Sequence, residues 1–397
     1  MLHESIHSTE SQEVVREYNT HEQDYDTIDA IERDEMIQNP ENVGFNLTND
    51  QFISPRRMNE VSAAQHLIDE VGEEAAFAQL SEKYGIQPDK VRDIFESTIA
   101  EEMSKVDRLN DMLADLPDGV SFRVHAFAPF SPFSMENCRH EEDGVEFFSF
   151  DPIALEQMQA VYEKVNSGEK PGDLTVVRNP FTSERGGNLP ETPEDIQAYA
   201  DMCLTFLDQM GFSENTGGIC LELGNETNVD RSTLDIHGQP MFNKEDFADK
   251  SDPAKYGRMY AKVSAAIKAK YPNVKVGIAG TAMFDDKYLE GVISAVNNPD
   301  LIDKLSFHPY RGSVEKGAPT FSDNACVNSS LNYEQQLARM QELADSVGAT
   351  YDVGEVSFTH KHGESVDMNE LHKNSADAKA RGIKSYTWPE RQILMYD

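Results

Sequence analysis

The sequence predicts an α/β protein of the (β/α)8 barrel class, and two observations support this prediction. Eight short apolar segments between residues 43 and 388 have the character of strands, and amphipathic segments with helical spacing separate nearly all of them. Strands that alternate with helices pair in parallel, because each helix forms the crossover to the next strand. Eight such units close a barrel. A doubly wound sheet with additional strands is the competing architecture.

The eight predicted strands differ in length but share an apolar run that ends in polar residues. In chain order they are VGFNL (43–47), VSFRVHAF (120–127), LTVVRNPF (174–181), CLELGNE (220–226), VKVGIAG (274–280), KLSFHPY (304–310), TYDVGEVSF (350–358) and IKSYTW (383–388). The stretch from the second of these strands to Phe150 is predicted as a loop.

The predicted helices follow from apolar residues at i, i+3 and i+4. A long helical region covers residues 58–116, and the sequence YGIQPDKV divides it into two or three helices. Further helices are predicted at 152–165, 192–210, 254–270, 286–296, 332–347 and 366–382. The clearest start is at Thr192, an N-cap residue that Pro193 and two acidic residues follow.

The domain prediction places an acidic N-terminal extension at residues 1–42 and the barrel at 43–397, with the helical region 58–116 as a long insertion. Only nine residues follow Trp388, so the barrel is expected to lack its last helix. Either the chain is part of a longer protein, or the N-terminal helical segment covers that gap.

Composition excludes several classes of partner. The chain of 397 residues has 71 acidic and 35 basic residues, a net charge of −36, which opposes binding to nucleic acid and to anionic membranes. The four cysteines show neither a zinc-site spacing nor a disulfide framework. Neither a signal peptide nor a membrane-spanning apolar run is visible, so a cytoplasmic location is expected. The oligomeric state cannot be read from the sequence.

The candidate site residues are the polar side chains at the strand ends, where parallel barrels gather their reactive groups. They are Arg123 and His125 on the second strand, Asn225 and Glu226 on the fourth, His308 and Tyr310 on the sixth, Glu355 on the seventh and Trp388 on the eighth.

Two carboxylates in such a ring have a clear chemical use. Cleavage of an acetal with retention needs one carboxylate as nucleophile and one carboxylic acid as proton donor, about 5–5.5 Å apart. Trp388, the single tryptophan, would offer a flat apolar face to a sugar ring. Asn225 and Glu226 are neighbours, so both can reach the site only if the strand breaks or bulges near Gly224. No metal or organic cofactor is required, since two carboxylates suffice.

These motifs resemble those of known enzymes. LGNETN, FHPY, VGEVSF and YTWP, in this order, are similar to the motifs of clan A retaining glycoside hydrolases. SFRVHAF and FHPY are most similar to the β-xylosidase and α-L-iduronidase type (family 39) of that clan. The resemblance implies a glycoside or oligosaccharide substrate. The proline usual after the Asn-Glu pair is absent.

The resemblance also implies a role for each candidate. Glu226 would be the acid/base and Glu355 the nucleophile, and Asn225 would bind the sugar 2-hydroxyl. Arg123 and Tyr310 would keep the nucleophile charged. His125 and His308 would bind sugar hydroxyls, and Trp388 would be the platform beneath the sugar.

Three alternatives stay open. Taken singly, each polar residue has a structural explanation: Glu226 as a turn carboxylate, His308 as a buried core histidine. A carbohydrate-binding or degenerate barrel would keep the cleft without turnover. A lyase or aldolase is a different barrel enzyme, although the motifs contain no strand-end lysine for Schiff-base chemistry.

Overall fold

The protein folds as a closed barrel of eight parallel strands, as predicted. The computed structural model describes residues 43–47, 51–126, 131–142, 144–178, 189–228, 252–282, 284–308, 331, 333–356, 376 and 380–387. The barrel strands are β1 (Val43–Leu47), β2 (Ser121–His125), β5 (Leu174–Arg178), β6 (Cys220–Asn225), β7 (Lys275–Ala282), β8 (Lys304–His308), β9 (Thr350–Val356) and β10 (Ser385–Thr387). Each pairs with the next, and β10 closes on β1.

Helices connect these strands on the outside of the barrel. Those described are α1 (Pro55–Val71), α2 (Glu73–Tyr84), α3 (Pro88–Asp115), α4 (Met135–Cys138), α5 (Pro152–Val165), α6 (Pro193–Gln209), α7 (Pro253–Lys270), α8 (Asp286–Val296) and α9 (Tyr333–Val347). The predicted start at Thr192 is confirmed, because the Thr192 hydroxyl accepts a hydrogen bond from the Asp195 amide at 3.1 Å.

The long helical region between β1 and β2 consists of three helices. Gly72 separates α1 from α2, and Gly85, in the left-handed conformation with φ +68°, ends α2. The 28-residue α3 packs against α5, and its Leu109 and Leu113 join the hydrophobic core. This insertion therefore supplies the outer helix of the first barrel unit.

The stretch predicted as a loop before Phe150 is only partly irregular. It contains α4 and an antiparallel hairpin of β3 (Arg139–Glu142) and β4 (Val145–Phe148). The prediction missed these three elements because each is four residues long, too short for a periodic pattern to be distinct. The hairpin belongs to the connection after β2, on the side of the barrel where His125 ends its strand.

Apolar and polar side chains alternate along the barrel strands, and the two sets have different surroundings. Leu221, Leu223 and Val276 belong to the hydrophobic core that also includes the surrounding helices. The barrel interior is polar instead. Deep in it, the buried Lys304 ammonium pairs with Asp352 and donates to the Thr175 hydroxyl at 2.7 Å. In such a polar interior, charged side chains from different strands can form ion pairs with one another.

Several predicted features lie outside the described residues: the extension 1–42, the ends of five predicted strands and most of the helix predicted at 366–382. Of that range, Ala376, Ala380 and Arg381 are described as helical, and Gly382 is described as a turn residue with φ +65°. No helix within the described ranges has the length and apolar character needed to cross a bilayer. The described cysteines are free and buried: Cys138, Cys203 and Cys220.

Candidate active site

Six of the eight predicted site residues come together at the carboxyl ends of four barrel strands. β2 carries Arg123 and His125, β6 carries Asn225 with Glu226 directly after it, β8 ends at His308, and β9 carries Glu355. The other two, Tyr310 and Trp388, lie outside the described residues. The six form one connected network of hydrogen bonds and ion pairs.

Arg123 is the centre of this network and is fully buried. Its Nη1 donates to Glu355 Oε1 at 2.8 Å, and its Nη2 donates to Asn225 Oδ1 at 3.1 Å. A third partner is Glu222, which receives Nη2 at 2.7 Å and Nε at 3.1 Å. A guanidinium held by carboxylates on two strands fixes the relative positions of β6 and β9 at the site.

Glu355 faces the site because of an irregularity in β9. Along the β9–β10 pairing, Val353 lies opposite Ser385, whereas Val356 lies opposite Thr387, so β9 contains one additional residue. Such a bulge turns a side chain to the other face of the sheet. Glu355 Oε1 then meets Arg123 Nη1 and lies 3.3 Å from His125 Nε2.

The adjacent residues Asn225 and Glu226 both reach the site because the strand ends between them. Asn225 is still paired with Gly280 of β7, without a shift of register, while Glu226 has a left-handed backbone with φ +48°. This conformation costs a non-glycine residue about 1–2 kcal/mol. Of the two expected possibilities, the strand breaks rather than bulges at this point.

His308 lies between the two predicted catalytic glutamates. Its Nδ1 shares a hydrogen bond of 3.0 Å with Glu226 Oε1 and is 3.6 Å from Glu355 Oε1. The ring lies directly against Gly280, where a Cβ atom would be only 2.2 Å from Nε2. The side-chain donor atoms of Glu226, His308 and Glu355 all lie within 4.8 Å of one another. One carboxyl oxygen of Glu226 is therefore at most 4.8 Å from one of Glu355, an approach compatible with the carboxyl separation of ~5–5.5 Å in retaining glycosidases.

The charges of the network determine its protonation. Burial opposes the charge of Arg123, but the carboxylates of Glu222 and Glu355 outweigh it and raise the pKa of Arg123. Burial likewise acts to raise the pKa of Glu222, yet Arg123 outweighs it, so the pKa of Glu222 lies below its ordinary value. For His125, burial and the Arg123 charge hold the pKa well below 6.5 against the attraction of Glu355. The neutral His125 ring can therefore accept a hydrogen bond from Arg123 Nη1, 2.6 Å from its Nε2.

Sequence reasoning missed two members of the network, Glu222 and Asn46. Both are buried, and Asn46 Oδ1 lies 3.2 Å from His125 Nε2. Each is a polar residue inside an apolar predicted strand, which is the same signal that identified Glu355. They were missed because only the strand ends were considered, whereas the long Arg123 side chain also contacts residues further down the barrel.

Glu226, His308 and Glu355 are also a donor set that a divalent cation accepts, since carboxylate oxygen and imidazole nitrogen are common metal ligands. Without a metal, the same trio provides two carboxyl groups at the separation needed for attack and proton donation. The two possibilities differ in their response to a chelator.

Comparisons with known proteins give distant structural matches. No family model and no curated protein sequence matches the chain. The catalytic domain of the Bacillus sp. JAMB-750 GH26 endo-β-1,4-mannanase is 14% identical, over 68% of this chain and 67% of that one, with a TM-score of 0.39. The GH5-4 broad-specificity endoglucanase from Clostridium acetobutylicum is also 14% identical, over 68% and 76%, with a TM-score of 0.43. The endo-1,4-β-D-mannanase from Thermotoga petrophila RKU-1 is 15% identical, over 70% of this chain and 80% of that one, with a TM-score of 0.39. At this level of similarity, the matches do not by themselves assign an activity.

Proposed function

We propose that this chain is a retaining glycoside hydrolase that cleaves O-glycosidic bonds by double displacement. The observation that supports this function best is the arrangement of Glu226 and Glu355, whose carboxyl oxygens approach within 4.8 Å at the carboxyl end of a closed barrel. Residues 43–397 would form the catalytic barrel. A sugar of the type cleaved by β-xylosidases or α-L-iduronidases is the substrate that the sequence motifs favour.

The surroundings of the two glutamates support different roles. Glu355 is 3% exposed and receives a hydrogen bond from Arg123, which favours its ionised form. It is the nucleophile, attacking the anomeric carbon to form a glycosyl ester. Glu226 has a side chain 22% exposed, beside His308 rather than an arginine. It donates the proton to the leaving oxygen and later removes one from the attacking water.

The neighbouring groups position the sugar. Asn225 accepts from Arg123 through Oδ1, which directs its amide nitrogen to act as the donor to a sugar hydroxyl. His125 and His308 would bind further hydroxyls. Tyr310 would assist Arg123 in keeping Glu355 charged, and Trp388 would lie beneath the sugar ring.

The test is hydrolysis of a panel of nitrophenyl glycosides at low and high salt by the parent, Glu355→Gln and Glu226→Gln. Glu355→Gln should abolish turnover. Glu226→Gln should retain measurable turnover, because nitrophenolate leaves with little acid assistance, but should lose about 10²–10⁴-fold on unactivated glycosides. Glu334→Gln, an exposed acid in α9, is the matched control and should match the parent.

Two additional measurements separate the alternatives. Proton NMR of the first product should show the anomer of the substrate, and dialysis against EDTA should leave the rate unchanged; loss of activity would indicate the metal site instead. If the parent cleaves no glycoside yet binds sugars, and Glu355→Gln binds them equally, the chain is a carbohydrate-binding barrel and the enzymatic proposal is wrong.

A further inference from the structure

The chain that follows β6 remains attached to the neighbouring strand β7. Directly after the last residue of β6, the Glu226 amide donates to the Gly280 carbonyl at 2.8 Å. Two residues later, the buried Asn228 side chain bonds the backbone of Ala282 in both directions. Its Nδ2 donates to the Ala282 carbonyl at 3.0 Å, and its Oδ1 accepts from the Ala282 amide at 2.9 Å. The Asn228 side chain thus takes the place of a main-chain partner beside the last residue of β7.

Asn228 also contacts the start of α8. Its Nδ2 lies 3.3 Å from Asp285 Oδ2, and the other oxygen of Asp285 accepts a hydrogen bond from the Tyr288 amide at 3.0 Å. A carboxamide has both donors and an acceptor, so it can bond a peptide group in both directions, whereas a carboxylate of the same size cannot. The residue type at position 228 therefore matches the two groups that it joins, the end of β7 and the N-cap of α8.

These contacts form a closed ring that passes through the site. Ala282, which Asn228 binds, is also the β7 residue that pairs with His308 on β8. His308 Nδ1 in turn shares the 3.0 Å hydrogen bond with Glu226 Oε1. Glu226 and its side-chain partner are therefore both tied to the end of β7, the first through Asn228 and the second through strand pairing.

The backbone of Glu226 needs such a restraint. Its left-handed φ of +48° is a conformation that a non-glycine residue keeps only where the surrounding structure holds it. Glu226 is attached at its own amide to Gly280, and the next attachment is the Asn228 side chain on Ala282. Without the second attachment, the backbone can relax to a more favourable conformation, which changes the direction of the Glu226 side chain.

We propose that Asn228 is a positioning residue that holds Glu226 in the left-handed conformation and against His308. It acts through Glu226 and not on the substrate itself. This inference rests on the proposed role of Glu226 as acid/base, but its geometric claim can be checked without turnover.

The kinetic experiment compares Asn228→Ala with the parent on two glycosides of the sugar that the parent cleaves. On an unactivated alkyl glycoside, kcat/KM should fall at least about 10-fold, because a misplacement of about 1 Å can cost on the order of 10²-fold. On the dinitrophenyl glycoside, kcat/KM should change by less than about 3-fold, because this leaving group needs little proton donation. Equal losses on both substrates would indicate general structural damage, and no loss would show that the contacts are dispensable; either result overturns the proposal.

Ser264→Ala is the matched control for the loss of a buried hydrogen bond. The Ser264 hydroxyl donates to the Leu301 carbonyl at 2.7 Å, at the opposite end of β8 from His308. This variant should keep the parental ratio of the two kcat/KM values. A ratio altered as in Asn228→Ala would show that the ratio does not report on Glu226 and would overturn the proposal.

A second variant keeps the test decisive if Asn228→Ala does not fold, as judged by circular dichroism. Asn228→Asp loses the donor to the Ala282 carbonyl and places a second carboxylate beside Asp285. It should change the ratio of the two kcat/KM values in the same direction, and a parental ratio would reject the proposal.

A crystal structure of the variant tests the geometry without turnover. Either the Glu226 backbone should leave the left-handed region, or its Oε1 should move beyond hydrogen-bond distance of His308 Nδ1. Retention of both the φ of +48° and the 3.0 Å contact would overturn the proposal. If the parent hydrolyses no glycoside, the proposed enzymatic function fails, whereas this structure still accepts or rejects the positioning of Glu226 by Asn228.

Discussion

Gly280→Ala should damage the site through a single methyl group. The added Cβ would lie 2.2 Å from His308 Nε2 and 3.0 Å from two ring carbons. Ordinary contact begins at 3.4 Å, so the ring has to move by roughly 1.2 Å. His308 is fully buried and shares a 3.0 Å hydrogen bond with Glu226, and such a displacement breaks that bond. Overpacking of this kind costs about 1–3 kcal/mol of stability, and a misplacement of about 1 Å costs on the order of 10²-fold in rate.

Urea unfolding and kcat/KM on a nitrophenyl glycoside measure the two effects separately. The matched control is Gly277→Ala in the same strand, where the nearest atom, Cys220 Sγ, is 3.3 Å from the added Cβ. The control should stay close to the parent in both measurements. Equal values for the two variants would refute the reasoning, because the close approach of His308 would then have no energetic consequence.

Three further predictions need no substrate. Burial raises the pKa of the Cys138, Cys203 and Cys220 thiols to about 12, 11 and 12. In a Cys326→Ser variant, a thiol reagent at pH 8 should therefore label these three cysteines only after the protein is unfolded. Rapid labelling of the folded protein would contradict their burial. Tyr256→Phe should lower the free energy of unfolding by about 1–3 kcal/mol, since its buried hydroxyl bonds two backbone groups at 2.7 and 2.8 Å, whereas exposed Tyr84→Phe should not. The pKa of His125 lies well below 6.5, so at mildly acidic pH the unfolded chain binds a proton that the folded chain does not. The free energy of unfolding should therefore fall as pH drops from 6.5 towards 5, by at most about 1.4 kcal/mol per pH unit. In His125→Gln this dependence on pH should be weaker, and the same dependence as in the parent would contradict the lowered pKa of His125.

The order of strands and helices could be predicted because it depends on local patterns. The apolar run CLEL and the amphipathic repeat after Thr192 each specify an element without reference to distant residues. The hairpin at 139–148 could not be predicted in this way. Its strands are stabilised by each other and by Phe148 packing against the core, not by a repeat of their own.

The strand-end rule identified the chemistry of the site but not its connections. Arg123 and Glu355 were expected to interact, and they do at 2.8 Å. Glu222 was not expected, although it binds the same guanidinium with two bonds. The sequence shows that residue 222 is acidic. Whether its side chain points into the barrel or towards the helices depends on how β6 pairs with the neighbouring strands.

By itself, the sequence determined the barrel strands and the longer helices, their order, and the residue types at the strand ends, because hydrophobic periodicity and capping act over a few residues. Only the tertiary structure decided which of those side chains meet. The additional residue in β9 turns Glu355 inward, and the left-handed conformation of Glu226 follows the last paired residue of β6. Both depend on pairing with other strands, and a shift of one residue in that pairing reverses the face on which a side chain lies. The separation of the two glutamates is therefore a property of the closed barrel and not of either motif.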